Sequence, residues 1–293
     1  MRNIVLALVL LFTSLFISLE QAYCEKTAEF ALIITIDGLR PDAISKANAP
    51  TLKALIKEGS YTPSAKTVDP PKTLPSHVSL VTGLVPKKHG TFINEWIDEF
   101  GHTEFETIFI IAKREGFSTA MFVGKDKLNF IAVPKSIDNL EVIKYSPTSV
   151  EEISNSFISY MKQNMPGVTL IHFPEPDIPG HKKGWMSQEY FEAIQRVDKE
   201  LREIIDSLKQ SGIYEKTFIV ITADHGGKDD NHKGNHPYVT TIPWLAVGNK
   251  VKKDYEIQEL VYIYDTAPTV LQALGIKPMK GIDGEVIEEI FIP

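Results

Sequence analysis

The chain has 293 residues, of which 43% are hydrophobic and 24% are charged. This composition is typical of a soluble globular protein and excludes the disordered and fibrous classes. The formal net charge of −7 argues against a nucleic-acid carrier, because no basic surplus is present to neutralise phosphates. The single cysteine excludes a disulfide framework and a thiolate metal cluster.

Residues 1–24 have the pattern of a secretory signal peptide. A positive residue near the start is followed by an apolar run from Ile4 to Leu19, and Ala22 and Cys24 fit positions −3 and −1 of a cleavage site. An uncleaved anchor helix and a lipid anchor on Cys24 are the alternatives. We expect a periplasmic or secreted protein whose mature part, residues 25–293, is one catalytic domain.

Strand patterns alternate with helix patterns in the rest of the chain. Continuous apolar runs predict buried strands, and apolar residues spaced by three and four predict helices. Because strands that alternate with helices favour a parallel sheet covered on both faces, we expect an α/β fold. Segment 125–148 is irregular and is a candidate lid or cap. In chain order, the predicted strands are 30–36, 116–124, 167–173, 217–222 and 242–247, and the predicted helices are 51–58, 74–84, 105–115, 149–164, 186–210 and 260–274.

Acidic and histidine residues follow three of the predicted strands. Ligands bind at the carboxyl ends of strands in an open parallel sheet, so we expect these side chains to converge at one edge. Carboxylates and imidazoles without thiolates suit Zn²⁺ or a similar divalent ion. The sequence therefore predicts a metal site formed by Asp37, Asp177, His181, Asp224 and His225.

Thr73 stands just before the predicted helix 74–84. The free N–H groups and the dipole of a helix N-terminus favour an anion there. Thr73 is therefore either an N-cap alone or a hydroxyl nucleophile directed at phosphorus. The residues by themselves leave both interpretations open.

Six segments together resemble the alkaline phosphatase superfamily, and most closely its type I phosphodiesterase/nucleotide pyrophosphatase branch. The resemblance implies a three-layer sandwich with a mostly parallel central sheet and a small cap. It also implies a hydrolase that cleaves phosphodiester or phosphoanhydride bonds through a phospho-threonine intermediate. The segments are Ile36–Asp42, Lys72–Pro86, His89–Asn94, Pro176–His181, Ala223–Gly226 and Gly234–His236.

The same resemblance assigns individual roles. It implies two divalent metal ions, expected to be Zn²⁺, of which one is held by Asp177, His181 and His236. The other is held by Asp37, Asp224, His225 and Thr73, with Thr73 also the nucleophile. Asn94 is expected to donate to a non-bridging oxygen of the substrate. His232 is the rival of His236, whereas His77, His89 and His172 are interpreted as structural.

The expected partner is a small phosphorylated substrate, nucleotide-like or another phosphodiester. Leu74 stands where nucleotide-cleaving members usually carry an aromatic residue that stacks on the base, which leaves nucleotide preference open. The phosphate-binding motifs contain no arginine placed to hold a phosphate dianion, which favours diesters over monoesters; Arg40 is interpreted as a support for its loop. The alternatives are a phosphomonoesterase or phosphonate hydrolase, a phosphoryl transferase, and a non-catalytic metal-binding protein.

Overall fold

The computed structural model describes residues 26–164, 167–277 and 279–292, so the predicted signal peptide lies outside the described residues. Within that described part, no helix has the length and apolarity needed to cross a membrane.

An eight-stranded sheet lies at the centre of the fold. Its strands are β1 (Phe30–Ile36), β2 (Ser60–Lys66), β3 (Thr119–Val123), β4 (Asn139–Val142), β5 (Val168–Phe173), β6 (Thr217–Thr222), β7 (Thr241–Val247) and β8 (Tyr255–Glu256). Their spatial order is β4-β3-β5-β1-β6-β7-β2-β8. β1 runs parallel to both β5 and β6, whereas β7 is antiparallel to β6 and β2. The prediction of a mostly parallel sheet is confirmed.

Helices cover both faces of this sheet. β3, β5 and β6 are buried along their whole length, so neither face of the central strands meets solvent. The helices are α1 (Pro41–Lys46), α2 (Pro50–Glu58), α3 (Thr73–Thr82), α4 (Pro86–His89), α5 (Ile108–Arg114), α6 (Ser149–Asn164), α7 (Asp177–Lys183), α8 (Gln188–Gln210), α9 (Pro237–Thr240) and α10 (Thr266–Ala273). α8 packs against α2, α6 and α7, while α3 packs against α5 and α10.

Two of these helices show how the sequence produces the layers. The predicted apolar stripe of α8 is buried at Ile194, Val197 and Leu201, and each such side chain contributes about 1.5–3 kcal/mol when removed from water. α3 is different because all ten of its residues are buried. A helix buried on every side is held by packing, so its first residue has a fixed position at the sheet edge.

Some elements differ from the sequence predictions. Segment 125–148 contains a short 3₁₀ turn, Asp126–Ile131, and the strand β4, which pairs in parallel with β3 at one edge of the sheet. β2 was not predicted because Pro63 interrupts its ladder and its residues are largely polar. The predicted helix 260–274 begins late, since Asp265 accepts the Tyr262 N–H in a turn that precedes α10.

His89 gives the fold a dependence on pH that can be measured. The ring is 5% exposed, its Nδ1 accepts the Thr91 N–H, and its Nε2 lies 2.9 Å from Ser79 Oγ. Burial lowers the pKa of His89 to about 4. Since the unfolded residue titrates near pH 6.5, the unfolded chain binds a proton between about pH 4 and pH 6.5 that the folded chain does not.

We therefore expect His89 to make the protein less stable as the pH falls from about 6.5 to about 4. His89→Gln should reduce the slope of unfolding free energy against pH in this window by up to about 1.4 kcal/mol per pH unit. Urea unfolding of both proteins at several pH values measures the slopes. Equal slopes would contradict the assignment of a neutral His89 in the folded state.

Candidate active site

The loops that follow β1, β5 and β6 meet at the carboxyl edge of the sheet. Asp37 directly follows β1, Asp177 opens α7 after β5, and Asp224 follows β6. The Asp177 N–H donates to the Asp37 carbonyl oxygen at 2.9 Å. Gly38 permits this contact because it adopts a φ of +74° and a Cβ there would lie 2.9 Å from the Asp177 Cα. The convergence predicted from the strand ends is therefore present.

Several buried ligand atoms at this edge have no hydrogen-bond partner. Among the side chains that the structure describes, they include Asp37 Oδ1, Asp177 Oδ1, Asp224 Oδ2 and His225 Nε2. The other carboxylate oxygen of Asp224 does have partners. This atom, Oδ1, accepts the Gly38 and His225 N–H groups at 3.1 and 3.0 Å. Each buried atom left unpaired costs about 1–3 kcal/mol. His225 Nε2 lies 3.5 Å from Asp37 Oδ1 and 3.4 Å from Asp224 Oδ2, and unpaired atoms this close together fit a divalent cation.

Three histidines are oriented as metal ligands. In each, Nδ1 lies 2.8–2.9 Å from a backbone carbonyl oxygen, so it carries the proton and donates. The lone pair of Nε2 is then directed into the site, which is the usual arrangement of a metal-binding histidine. The rings and their carbonyl partners are His181 with Asp230, His225 with Gly226, and His232 with Pro71.

The ligand atoms form two groups that share Asp177. Atoms of Asp177, His181 and His232 lie within 4.8 Å of one another, and so do atoms of Asp37, Asp177 and His225. The first group reaches solvent, because the His181 side chain is 41% exposed. The second group is fully buried.

The structure brings His232, and not His236, into the first group. His236 caps α9, where its Nδ1 accepts the Tyr238 N–H at 3.1 Å, so the proton lies on Nε2. This is the opposite tautomer to that of the three ligand-oriented rings. A tight turn at Lys228–Asn231 returns the chain so that the His232 ring stacks on His225 with centroids 3.8 Å apart. This geometry favours His232 over the expected His236 as the third ligand of the first group.

Thr73 lies at the start of α3 beside the buried group. Its Oγ1 is 3.5 Å from Asp37 Oδ2, and the residue is 1% exposed. The His77 Nδ1–H donates to the Thr73 carbonyl oxygen at 2.8 Å, which supports the structural interpretation of His77. Asn94 Oδ1 accepts the Leu74 N–H at 2.9 Å, and this bond orients the Asn94 amide NH₂ beside the first turn of α3.

Lys125 is a residue of this site that sequence reasoning missed. Its Nζ lies 2.7 Å from one carboxylate oxygen of Asp37 and of Asp177, and 3.5 Å from Thr73 Oγ1. Burial acts to lower the pKa of Lys125, but the carboxylates outweigh it and the pKa is raised above its usual range. The available signal was a lysine placed two residues after β3 at the same sheet edge.

Asp37 and Asp177 remain ionised in these surroundings. Burial and the neighbouring Asp37 act to raise the pKa of Asp177, but Lys125, the contact with His181 and the charge of His225 together outweigh them and lower this pKa to about 2. Burial also acts to raise the pKa of Asp37, and the charges of Lys125 and the bond from His172 overcome it, so the pKa is lowered. Asp37 and Asp177 are therefore available as anionic ligands at neutral pH.

His172 has a more specific role than that of a core histidine. Its Nδ1 accepts the Gly124 N–H at 3.3 Å, so its Nε2 carries the proton and donates to Asp37 Oδ2 at 3.0 Å. This bond fixes the rotation of the Asp37 carboxylate. It leaves the other oxygen, Oδ1, directed toward His225 Nε2 at 3.5 Å.

A second set of contacts supports the loop that follows β6. Arg40 pairs with Asp42 and donates to the Gly227 carbonyl oxygen at 3.2 Å. The Trp185 Nε1–H donates to the Gly38 carbonyl oxygen at 2.9 Å, and its indole fills the space that a Cβ on Gly227 would need. Arg40 and Trp185 are therefore supports of the loops.

The chain belongs to the type I phosphodiesterase / nucleotide pyrophosphatase family, whose model matches residues 31–246. Human bis(5'-adenosyl)-triphosphatase ENPP4 is 27% identical over 241 residues, which cover 75% of this chain and 52% of the relative. Human ectonucleotide pyrophosphatase/phosphodiesterase family member 1 is also 27% identical, over 76% of this chain and 26% of its own length. The chain thus spans about half the length of the first of these relatives, and less of the other.

Solved structures share the fold. Inactive murine ectonucleotide pyrophosphatase/phosphodiesterase 5 in complex with AMP aligns with a TM-score of 0.76 at 17% identity, covering 91% of this chain and 100% of that chain. The phosphonate monoester hydrolase of Agrobacterium radiobacter aligns with a TM-score of 0.72 at 16% identity, covering 90% and 77%. The alkaline phosphatase-like fold implied by the sequence is confirmed.

The two candidate histidines provide a matched test of the ligand set. His232→Ala should weaken zinc binding at one site by more than the 10–100-fold that loss of an outer-shell contact typically costs. His236→Ala should bind zinc like the unmodified protein. In the unmodified protein the His236 Nδ1 accepts the Tyr238 N–H and Nε2 carries the proton, so neither nitrogen has a free lone pair for a metal ion. Zinc titration calorimetry measures both, and weaker binding in His236→Ala alone would instead assign His236 as the ligand.

Proposed function

We propose that the protein is a metal-dependent hydrolase that cleaves phosphodiester or phosphoanhydride bonds. The observation that supports this most directly is the threonine hydroxyl beside a buried set of unpaired carboxylate and imidazole ligand atoms. Family membership supports the same reaction class. The signal-peptide pattern favours a periplasmic or secreted location.

Two divalent ions, expected to be Zn²⁺, fit the donor set. The first site consists of Asp177, His181 and His232, with His232 in place of His236. The second consists of Asp37, Asp224, His225 and Thr73. Bound divalent ions act as Lewis acids toward phosphoryl oxygens and lower the pKa of a coordinated hydroxyl or water. The orphaned oxygens and the three Nε2 lone pairs supply the anionic and imidazole donors that zinc prefers.

Thr73 is the proposed nucleophile. Its Oγ loses a proton to solvent and forms a bond to phosphorus, while the bond from phosphorus to the leaving oxygen breaks with the electron pair on that oxygen. Water supplies the proton that the leaving group needs. A second water then attacks phosphorus, the bond to Oγ breaks, and the Thr73 hydroxyl is restored as the phosphate product leaves.

Fixed residues hold these reacting atoms. The buried helix α3 fixes the Thr73 backbone, and the His77 bond to the Thr73 carbonyl oxygen prevents rotation of the first turn. Asn94 Oδ1 accepts the Leu74 N–H, and we expect the NH₂ of the same amide to donate to a non-bridging oxygen, where negative charge accumulates in the transition state. The bond from His172 holds the Asp37 carboxylate in place, and the Gly38 N–H holds the Asp224 carboxylate.

The proposed substrate is a small phosphorylated molecule, nucleotide-like or another phosphodiester. The relatives named above include a bis(5'-adenosyl)-triphosphatase, and one aligned structure holds AMP. Leu74 is 0% exposed, so it offers no surface on which a base could stack. Recognition of the leaving group must therefore depend on other residues of the site.

The nucleophile can be tested with two substitutions at one position. Thr73→Ala should lower kcat for bis-p-nitrophenyl phosphate by about 10³-fold or more, since the attacking oxygen is absent. Thr73→Ser keeps a hydroxyl and should retain part of the activity. Acid quenching during turnover followed by mass spectrometry should detect a p-nitrophenyl phosphoryl group on residue 73 in the unmodified protein and in Thr73→Ser, and not in Thr73→Ala.

The same assay separates catalysis from simple metal binding. Zinc uptake with no turnover of either bis-p-nitrophenyl phosphate or p-nitrophenyl phosphate would favour the non-catalytic alternative. Undiminished hydrolysis by Thr73→Ala would refute the proposed nucleophile.

Asn94 gives an independent prediction. Asn94→Ala removes the donor to the substrate oxygen and should lower kcat by about 10²–10³-fold. KM should change less, because the bond strengthens in the transition state. Steady-state kinetics measure the two constants, and a change confined to KM would instead indicate ground-state binding.

A further inference from the structure

Lys125 is a largely buried cation that has no role in the reaction described so far. Its side chain is 15% exposed, and it lies next to the nucleophile rather than at the rim of the site. The sheet fixes its position, because Val123 pairs with His172 at the end of β3 and Lys125 follows two residues later. The residue is therefore held by strand register and is not on a free loop tip.

The ammonium group directs one of its donors at the nucleophile. A lysine carries three N–H donors, of which one bonds to Asp177 Oδ2 at 2.7 Å, while Asp37 Oδ2 lies at the same distance as an ion pair. Another donor is directed at Thr73 Oγ1 at 3.5 Å. When a phosphorus atom is bonded to this Oγ1, its non-bridging oxygens are only two bonds away from it, within reach of Nζ.

The geometry points to Lys125 as a catalytic residue that binds a non-bridging oxygen of the phosphoryl group, and to dianionic phosphates, meaning monoesters and terminal phosphates, as a substrate class of this site. This inference rests on the proposed function, in which Thr73 attacks that phosphorus. It also supplies a fixed positive charge that can pair with a dianion. The phosphate-binding motifs contain no arginine that could supply this charge.

The charge of the substrate determines how much Lys125 contributes. Coulomb attraction is proportional to the product of the charges, so the ammonium attracts a dianion more strongly than the monoanion of a diester at the same distance. A phosphate monoester has its second pKa near 6 and is mostly dianionic at pH 8. Removing the Lys125 charge should therefore weaken the binding of dianionic monoesters more than that of monoanionic diesters.

The test uses Lys125→Met in the purified, zinc-loaded protein, with Lys125→Arg to retain the charge and exposed Lys144→Met as a control. Calorimetry measures binding of inorganic phosphate, and of dimethyl phosphate as the monoanionic probe. We expect Lys125→Met to bind inorganic phosphate about 10–100-fold more weakly, as loss of a charged hydrogen bond predicts, and dimethyl phosphate to change less. Lys125→Arg should recover part of the binding, and Lys144→Met should match the unmodified protein.

Zinc content and kinetics complete the test. Zinc content should be unchanged in Lys125→Met, and kcat/KM should fall further for p-nitrophenyl phosphate than for bis-p-nitrophenyl phosphate. Equal losses for both probes, unchanged phosphate binding, or loss of zinc would each overturn the inference, the last because it would assign Lys125 to positioning the carboxylates. If the unmodified protein hydrolyses neither ester, the proposed function fails, while phosphate binding still decides the role of Lys125.

Discussion

The structure depends on bringing three carboxylates together in its interior. Asp37, Asp177 and Asp224 are at most 3% exposed and lie at the ends of three adjacent strands. Buried like charges repel one another and lose hydration, so such a group persists only with compensation. Compensation comes from backbone N–H groups, from His172 and from Lys125, and several oxygens remain unpaired for a further cation.

The strand order makes this arrangement possible. β1 lies between β5 and β6, so the loops that follow all three begin side by side. Each loop then turns sharply because of a particular local feature, such as the positive φ of Gly38 or the start of α7 at Asp177. Since the central strands are buried on both faces, the core fixes the points at which these loops begin. Rigid support of this kind is what a preorganised site requires.

The sequence predicted those parts of the site that follow directly from strand ends. Asp37, Asp177, Asp224 and His225 each stand within four residues of a strong apolar strand, so the parallel sheet alone brings them together. Strand ends could not decide between His232 and His236, because that choice depends on a turn at Lys228–Asn231 and on which ring nitrogen carries the proton. The elements missed, such as β2 with its Pro63, lacked the apolar run on which strand prediction relies.

Sequence patterns could not single out Lys125 for a different reason. In the sequence, a lone lysine after a strand is indistinguishable from a solvated side chain. Its role follows from contacts with Thr73 and Asp177, each 52 positions away in the sequence. The loop from His225 to His232 is short and is held at Gly227 by Arg40 and at Asp229 by the Trp185 N–H. Because Leu74 is buried and the loop from His225 to His232 is short, these two parts of the site offer little surface that could select a leaving group by its shape. In the proposed function, selection depends more on charge close to the phosphorus, and Lys125 is the cation that lies beside the proposed nucleophile.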